Sequence, residues 1–597
     1  MRETLAPEGH AGLVGVKLEG SGFESVGRIP VVREGEILYS LKPKKDSILH
    51  RLLVEVKLGA NNVKYITFRS PLLVENNTQI PVELGVYSPD EGHLLKIEKI
   101  LPGDARPAPV GAAFMHSVVV RPDQGFGYDW SNEQLHWKDL LRRPTRTIKC
   151  LSENGQQSPP FYFQMNATFN PKDSLTNAYP YMRVRIFAPV EIQNLLPYDF
   201  KYRIYDKHTK KDWTNFLRKG GVSPVHVVEL SHLLLLSIDL QDSVFKQSDF
   251  AIINGNAQDF RREHTLPLRD DRGIQLKLNL HYFNVPDSGG AFKVSIYSPY
   301  LILNKTGLPM EIQSKAFMQS ARSAAGQGLR ADSRHGGRTL PYMYSYPTDD
   351  QKNRSMIKIG DSAWCRPQSF EAIGSNFEVM LPDRSGRSEF HSGVSVAEGE
   401  GKYKMTKVVT IAPRFILKNK LSEDLLVREP GSSNVLSIKS GDLVPLHFLR
   451  QVAEKQLCLC FPGVNNQWSS PFNIADVGTV HVKLAKENQR QRLIKVDIIM
   501  EGATLFMHFN FETRNWPFSM RNESDMEFIF YQAVSFPNFP FTSDWAFMLI
   551  DILHRTLMSK MTKKTEQAVG GQYDTACLLE ASCHTLGITP QQRINLL

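Results

Sequence analysis

Apolar and polar residues alternate over many short stretches of this chain, with the two-residue period of strands that bury one face. Two clear examples are residues 52–58 (LLVEVKL) and 182–187 (MRVRIF). The pattern predicts strands at residues 36–41, 52–58, 63–68, 182–187, 292–297, 407–411 and 505–511. Convincing helical spacing is confined to one stretch near the C-terminus. The sequence therefore predicts an all-β protein.

A fifteen-residue motif follows several of these strands. Its clearest copy is 298–312 (SPYLILNKTGLPMEI), and near-copies begin at residues 70, 188, 412 and, more loosely, 516. Each copy has a proline, an apolar run, one asparagine, a polar turn and a second apolar run. The repeated asparagines are Asn76, Asn194, Asn304, Asn419 and Asn522, which lie 118, 110, 115 and 103 residues apart. Solenoid repeats are only ~20–50 residues long, so we predict tandem β-sandwich modules of about 110 residues instead.

The motif copies also give a domain division. We predict residues 1–69 as the end of a preceding module or as N-terminal strands, residues 70–187, 188–297, 298–411 and 412–515 as β-modules, residues 516–532 as the start of an incomplete module, and residues 533–597 as a divergent tail. Within the tail, residues 543–566 have the spacing of one amphipathic helix, with a basic cluster at 560–564. Such a helix is suited to lie on a membrane or to pack against the last sandwich.

A second element recurs about fifty residues after the asparagine in three modules, at 128–137, 362–381 and 467–484. Each copy contains a tryptophan, which we expect to fill the core of a sandwich. Two stretches rich in serine, glycine, arginine and glutamate, 319–338 and 382–402, predict mobile loops.

Composition and charge narrow the function classes. The chain has 41% hydrophobic and 22% charged residues, which is ordinary for a globular protein, and its net charge of +9 permits but does not demand an acidic partner. Its six cysteines do not recur as one pair per module, so we predict a reducing compartment. N-glycosylation sequons begin at Asn76, Asn166, Asn304, Asn353 and Asn522. We expect them to be unmodified, because the N-terminus has no apolar signal-peptide core.

Chemical motifs are missing from the sequence. It contains no phosphate-binding loop, no nucleophile elbow, no H-E-x-x-H zinc motif and no C-x-x-C pair. Cys458 and Cys460 share one face of a predicted strand, where buried thiols are a more economical interpretation than metal ligands. We therefore predict no catalytic residue, no metal, no cofactor and no nucleic-acid partner.

The repeated asparagine has two interpretations. At the end of an apolar strand, its side chain can bond the backbone nearby and shape a turn. Alternatively, its amide can offer a donor and an acceptor to an incoming extended peptide. A single copy could have the second role.

These features together resemble those of a known protein family. The asparagine copies, the tryptophan element and the stretch 63–84 (VKYITFRSPLLVENNTQIPVEL) resemble the adaptor-binding region of the vacuolar protein sorting-associated protein thirteen family, over residues 30–532. The resemblance implies a curved row of β-sandwich modules, each marked by one asparagine. The family has six modules, whereas five asparagine copies are visible here.

The resemblance also implies a function. The modules would bind short Pro-X-Pro peptides of membrane adaptor proteins and so bring a bridge-like lipid-transfer protein to organelle membranes. Because binding in the family concentrates toward the last modules, Asn419 and Asn522 are the expected peptide-binding residues. The implied location is cytoplasmic and peripheral, at vacuoles or endosomes, mitochondria and contact sites. The alternative from the residues is direct binding of the β-modules to membranes or phosphoinositides through basic loops.

Overall fold

The computed structural model describes residues 12–512 and Met526, with internal gaps. The gaps are residues 89, 156–157, 254–261, 272, 274, 316–328, 331–333, 336–337, 340, 348–351, 464–466 and 487–488. The chain forms two compact units. The first comprises Met1–Pro299, Met343–Ser345 and Glu400–Thr406, and the second comprises Tyr300–Tyr342, Tyr346–Gly399 and Lys407–Leu597. The described part is built from strands, so the all-β prediction is confirmed.

Five strands precede the first asparagine. They are β1 (Leu13–Val16), β2 (Val26–Pro30), β3 (Gly35–Ser40), β4 (Arg51–Leu58) and β5 (Lys64–Arg69). β1 and β2 form one antiparallel pair, and β3-β4-β5 form an antiparallel sheet.

The next strands form repeat 1. Its elements are β6 (Leu72–Asn76), β7 (Val82–Ser88), β8 (His93–Ile100), β9 (Ala105–Pro107), β10 (Ser117–Pro122), a 3-10 turn (Gln124–Phe126), β11 (Tyr128–Ser131), α1 (Trp137–Arg142), β12 (Thr145–Ser152), β13 (Phe161–Thr168), α2 (Ser174–Ala178) and β14 (Met182–Phe187). One sheet has the order β11-β12-β13-β14-β6-β9 and the other β10-β7-β8. A single hydrophobic cluster joins them, with Val74 of one sheet and Leu84 of the other among its buried members.

Repeat 2 follows in the same unit. Its strands are β15 (Val190–Asn194), β16 (Phe200–Asp206), β17 (Lys211–Leu217), β18 (Val222–Val225), β19 (Leu234–Leu240), β20 (Ala251–Ile252), β21 (Glu263–Arg269), β22 (Gln275–Asn284) and β23 (Phe292–Tyr297). The two sheets have the orders β18-β15-β23-β22-β21 and β17-β16-β19-β20.

Repeat 3 has elements β24 (Tyr300–Asn304), β25 (Met310–Lys315), β26 (Leu329–Arg330), β27 (Arg334–His335), β28 (Arg338–Thr339), β29 (Tyr342–Tyr344), β30 (Arg354–Ile359), β31 (Asn376–Pro382), β32 (Ser388–Glu398), a 3-10 turn (Gly401–Tyr403) and β33 (Lys407–Pro413). In the second unit, one sheet contains β24-β33-β32-β31 and another contains β26-β25-β30.

Repeat 4 has strands β34 (Phe415–Asn419), β35 (Leu425–Arg428), β36 (Leu436–Ile438), β37 (Leu443–Leu446), β38 (Phe448–Arg450), β39 (Gln456–Cys460), β40 (Phe472–Asn473), β41 (Gly478–Lys486), β42 (Gln489–Glu501) and β43 (Thr504–Phe511). Its sheets have the orders β37-β34-β43-β42-β41 and β36-β35-β39-β40, while β38 pairs with β32.

The four repeats share one topology. In each, the first strand, which ends at the asparagine, pairs in parallel with the last strand of the same repeat. We call the sheet that contains this pair sheet A and the other sheet B. The second strand crosses to sheet B, so the asparagine lies where the chain leaves one sheet for the other. The boundaries between separate domains remain a prediction.

Within each unit, the two neighbouring repeats meet through the same kind of contact. In the first unit, the loop between β22 and β23 rests on β13, where Gln164 Nε2 donates to Gly289 O at 2.6 Å and Asn166 Nδ2 to Asp287 O at 3.0 Å. In the second unit, the loop between β42 and β43 rests on β32 and β33, where Arg414 Nη1 donates to Ala503 O at 2.7 Å. Each contact places the hairpin between a repeat's last two strands on the preceding repeat.

One local prediction was wrong, and another was confirmed only in part. Residues 382–402 are not a loop, because Ser388–Glu398 forms the eleven-residue strand β32. Its small residue Gly393 packs under the Ala503 carbonyl, so this strand is buried without an apolar side chain at that position. The tryptophan prediction is confirmed for Trp137, which is buried in the core of repeat 1. Trp130 and Trp468 do not fill cores, because each covers an arginine on the outer side of sheet B.

Two further predictions concern residues that the structure does not describe, or describes only in small part. The predicted helix at 543–566 lies outside the described residues, as does most of the predicted loop at 319–338.

Candidate functional site

The structure places four of the five repeated asparagines at equivalent corners. Asn76, Asn194, Asn304 and Asn419 end the first strand of their repeats and have 1%, 0%, 7% and 0% of their surface exposed. Asn522 lies outside the described residues. The asparagines are one per repeat, so they form four separate corners and are not assembled into one site.

Each described amide holds the turn that follows it. The Oδ1 atom accepts the backbone N–H two residues later, at 2.9 Å from Leu196 in repeat 2 and 3.0 Å from Leu421 in repeat 4. The Nδ2 atom donates to the carbonyl four residues later, at 2.8 Å to Tyr198 and 2.9 Å to Glu423. Repeats 1 and 3 have the same pair of bonds. This local bonding is the turn role that the sequence pattern indicates for asparagine.

A third bond ties the corner to sheet B. The second Nδ2 hydrogen is directed to the last carbonyl of that sheet's edge strand, at 2.9 Å to Ile100, 3.3 Å to Leu217 and 3.1 Å to Ile438 in repeats 1, 2 and 4. Three residues farther on, a glycine N–H donates to the asparagine's own carbonyl. These glycines are Gly103, Gly220 and Gly441, with φ values of 80°, 76° and 82°.

The glycines are part of the corner that sequence reasoning missed. Their positive φ is a conformation that favours glycine, so a side chain there would be strained. Gly103, Gly220 and Gly441 follow their asparagines at unequal distances of 27, 26 and 22 residues, which hides them in a fixed-spacing comparison. A glycine three residues after the third strand of repeats 1, 2 and 4 was the available signal.

The threonines of two sequons belong to the same corner. Thr78 Oγ1 donates to Asn76 Oδ1 at 2.7 Å, and Thr306 Oγ1 donates to Asn304 Oδ1 at 2.7 Å. The N-x-T sequence at these two positions therefore has a structural explanation: the threonine hydroxyl bonds the asparagine side chain. Both amides are buried and bonded, which leaves them inaccessible to a glycosyl donor in the folded chain.

The bonding of Asn419 bears directly on peptide recognition. Both Nδ2 hydrogens and the Oδ1 atom are engaged within repeat 4, and the residue is fully buried. A direct bond to a peptide would have to displace one of them. The geometry therefore favours a role in holding the corner over direct contact.

Proline protects the neighbouring edge of sheet A. In repeats 1, 2 and 4, this edge strand contains Pro107, Pro224 and Pro445, which pair with the residue three places before the asparagine. Proline lacks an N–H and discourages another strand from adding there. The opposite edges also contain proline in repeat 2 (Pro267) and repeat 3 (Pro382).

The far edge of sheet A in repeat 4 differs. Strand β41 has nine residues and no proline, and among the described residues it pairs only with β42. Val480, Val482 and Leu484 face the core, while Thr479, His481 and Lys483 occupy the other face. Val477, just before the strand, is 59% exposed. β41 is thus an edge with unprotected backbone groups in the module that follows Asn419.

Sheet B of repeat 4 holds the close cysteine pair. Cys458 and Cys460 are buried on its outer side, and burial raises the pKa of both thiols although the Arg428 charge opposes it. The Arg428 guanidinium lies 4.1 Å from the centre of the Trp468 ring. Among the residues described, no group of three or more His, Cys, Asp or Glu side chains is arranged to hold a metal ion.

Comparisons with known proteins show which sequences this chain is similar to. A family model described as "Vacuolar-sorting associated protein 13, adaptor binding domain" matches residues 1–550. The chain is 56% identical to the intermembrane lipid transfer protein VPS13 of Chaetomium thermophilum over 89% of its own length and 17% of that protein. It is 24% identical to human VPS13D and 23% identical to human VPS13C, each over 86% of this chain and 13% of the relative. The chain thus spans less than a fifth of the curated relatives it matches.

Proposed function

Because this chain belongs to the vacuolar-sorting associated protein 13 family and matches its adaptor-binding domain, we propose that it binds short Pro-X-Pro peptides of membrane adaptor proteins. The bound adaptor would bring a bridge-like lipid-transfer protein to organelle membranes and contact sites. The domain acts by binding and not by catalysis. In this proposal its contact with membranes is indirect.

One observation carries the proposal for repeat 4: β41 is a long sheet edge that no proline protects. An extended peptide can add to such an edge through main-chain hydrogen bonds. Two prolines separated by one residue lie on the same face of a strand. Their backbone nitrogens, which carry no hydrogen, also point to the same side of the strand. The ligand can therefore pair through its middle residue while its prolines lie away from the ladder.

The asparagines act on this site through the fold. Asn419 fixes the corner from which β34 enters sheet A, and β34, β43, β42 and β41 are successive neighbours in that sheet. Asn522 is the other peptide-binding residue in the proposal, by its place in the last motif copy. The two residues are thus assigned to the C-terminal end of the chain, where the family resemblance locates binding.

The proposed location follows from the proposed partner. Binding to adaptors on vacuoles or endosomes, mitochondria and contact sites would hold the chain on the cytoplasmic side as a peripheral component. Among the described residues, no helix combines the length and hydropathy needed to cross a bilayer.

Isothermal titration of the full chain tests the proposal. A Pro-X-Pro peptide is compared with a matched peptide in which alanine replaces both prolines. We expect saturable binding of the first and a loss of at least about tenfold for the second, equivalent to about 1.4 kcal/mol. Equal affinity of the two peptides, or binding of neither, would refute the Pro-X-Pro assignment.

A further inference from the structure

Positive charge is concentrated on one hairpin of repeat 2. The hairpin of β16 and β17, residues 200–219, contains seven Lys or Arg residues and two Asp residues. Its formal charge is therefore +5, whereas the whole chain has +9. The hairpin thus carries more than half of the formal net charge of the chain. It lies in a different repeat from β41.

Strand β17 is also an unprotected sheet edge. Among the described residues it pairs only with β16, and its sequence (KDWTNFL) contains no proline. The Phe216 N–H is bonded at 2.8 Å to the side-chain oxygen of Asn215 instead of to a strand. Backbone groups two residues apart point to the same side of a strand, so Thr214 also directs its N–H to the open side.

The cations lie at both ends of this strand. Lys210 precedes it and Lys211 is its first residue, while Arg218 and Lys219 follow it. No ion pair involves these four side chains within the described part of the chain, so their charges are available to a ligand. Lys402 extends the second group, because a Cβ on Gly220 would lie 3.4 Å from the Lys402 Cδ atom.

Aromatic side chains occupy the strand between these charges. Phe216 is 45% exposed, and Trp213 is partly buried with its ring 5.7 Å from the Tyr202 ring in an edge-on contact. Trp213 and Phe216 are three residues apart and so lie on opposite faces of the strand. Apolar residues on either face of an added strand would find an aromatic neighbour.

We propose that β17 binds an extended peptide whose apolar, β-branched middle is flanked by acidic residues at both ends. The peptide adds to the edge of sheet B by main-chain hydrogen bonds. Its terminal carboxylates lie beside the cations at the two ends of β17, and the side chains of its middle pack beside Trp213 on one face and Phe216 on the other. Seven residues of strand span about 23 Å, which calls for a ligand of roughly eight residues. This site is independent of the Pro-X-Pro proposal for repeat 4.

Fluorescence anisotropy with the full chain provides the test, using the labelled peptide EEVTVTEE as the probe. We expect saturable binding that weakens with added salt. Thr214→Pro removes the outward N–H and supplies the protection found on other edges, so it should weaken binding at least about tenfold. Thr214→Val keeps the N–H and should bind like the unmodified chain. The Pro-X-Pro affinity should be the same in all of them.

A charge variant keeps the test decisive if Thr214→Pro fails to fold. Lys211→Glu combined with Arg218→Glu should weaken binding by at least about tenfold, and so should exchanging the peptide's glutamates for glutamines. Unchanged affinity in either case, or no saturation up to about 1 mM peptide, would overturn the proposal. Anionic phosphatidylserine vesicles are the other probe. Vesicle capture that depends on Lys211 and Arg218, without any peptide binding, would assign the hairpin to a membrane surface instead.

Discussion

Replacing Asn419 with alanine should destabilise the corner of repeat 4 and should not remove a surface contact. The substitution removes three hydrogen bonds, to the Glu423 carbonyl at 2.9 Å, the Ile438 carbonyl at 3.1 Å and the Leu421 N–H at 3.0 Å. A buried hydrogen bond contributes about 1 kcal/mol net, so the free energy of local opening should fall by roughly 3 kcal/mol. The loss is larger than for an ordinary turn residue because Asn419 is completely buried.

Hydrogen exchange is the suitable assay, because a protein with several repeats does not unfold in a single two-state step. A fall of roughly 3 kcal/mol should accelerate exchange of the Leu421 and Gly441 amides by about a hundredfold. Asn434→Ala is the matched control, since Asn434 is exposed in the same repeat and should change exchange little. If Asn419→Ala leaves these amides protected but abolishes Pro-X-Pro binding, the side chain is a ligand contact and the reasoning fails.

Three other predictions concern the corners and the contacts between repeats. Gly393→Ala would drive a Cβ into the Ala503 carbonyl oxygen and should cost roughly 1–3 kcal/mol of local opening free energy in the hydrogen exchange of the β32 amides, whereas Gly111→Ala, which has open space, should be nearly neutral. Gly441→Ala forces a side chain to φ 82° and should cost about 1 kcal/mol, and slower exchange of the Leu421 amide would refute it. Burial lowers the pKa of His226 to about 4, below its unfolded value near 6.5, so the neutral form stabilises the fold above pH 6.5. That stability should fall by about 2 kcal/mol on acidification to pH 5, and His226→Phe should remove this pH dependence from the hydrogen-exchange protection factors of the β18 amides.

The sequence was most informative where alternation and turn chemistry agree. Strands were predicted at 182–187 and 292–297, and the structure has Met182–Phe187 and Phe292–Tyr297. The asparagine pattern predicted a turn residue, because a short amide side chain at the end of a strand can bond the backbone that follows. The bond across to sheet B could not be predicted, since it depends on where the third strand ends.

The misplaced elements have a common physical cause. Strand β32 has serine and glycine where isolated strands have large apolar residues, because the following repeat covers its outer face. Hydrophobicity alone predicts core positions for the tryptophans of the recurring element, which is confirmed for Trp137. The rings of Trp130 and Trp468 instead cover Arg121 and Arg428, and the sequence distance between ring and cation differs between the repeats. Contacts that one repeat supplies to another, or that cross a sheet, leave no periodic signal.

Hydrogen exchange of the full chain with and without a Pro-X-Pro peptide tests the central claim most directly. The account predicts that the peptide protects amides of β41, Gly478–Lys486, and leaves the proline-protected edge strand Leu443–Leu446 unchanged. The alanine-substituted peptide should protect neither strand at the same concentration. Protection confined to other repeats, or none at a peptide concentration that saturates binding, would contradict the assignment of adaptor binding to β41.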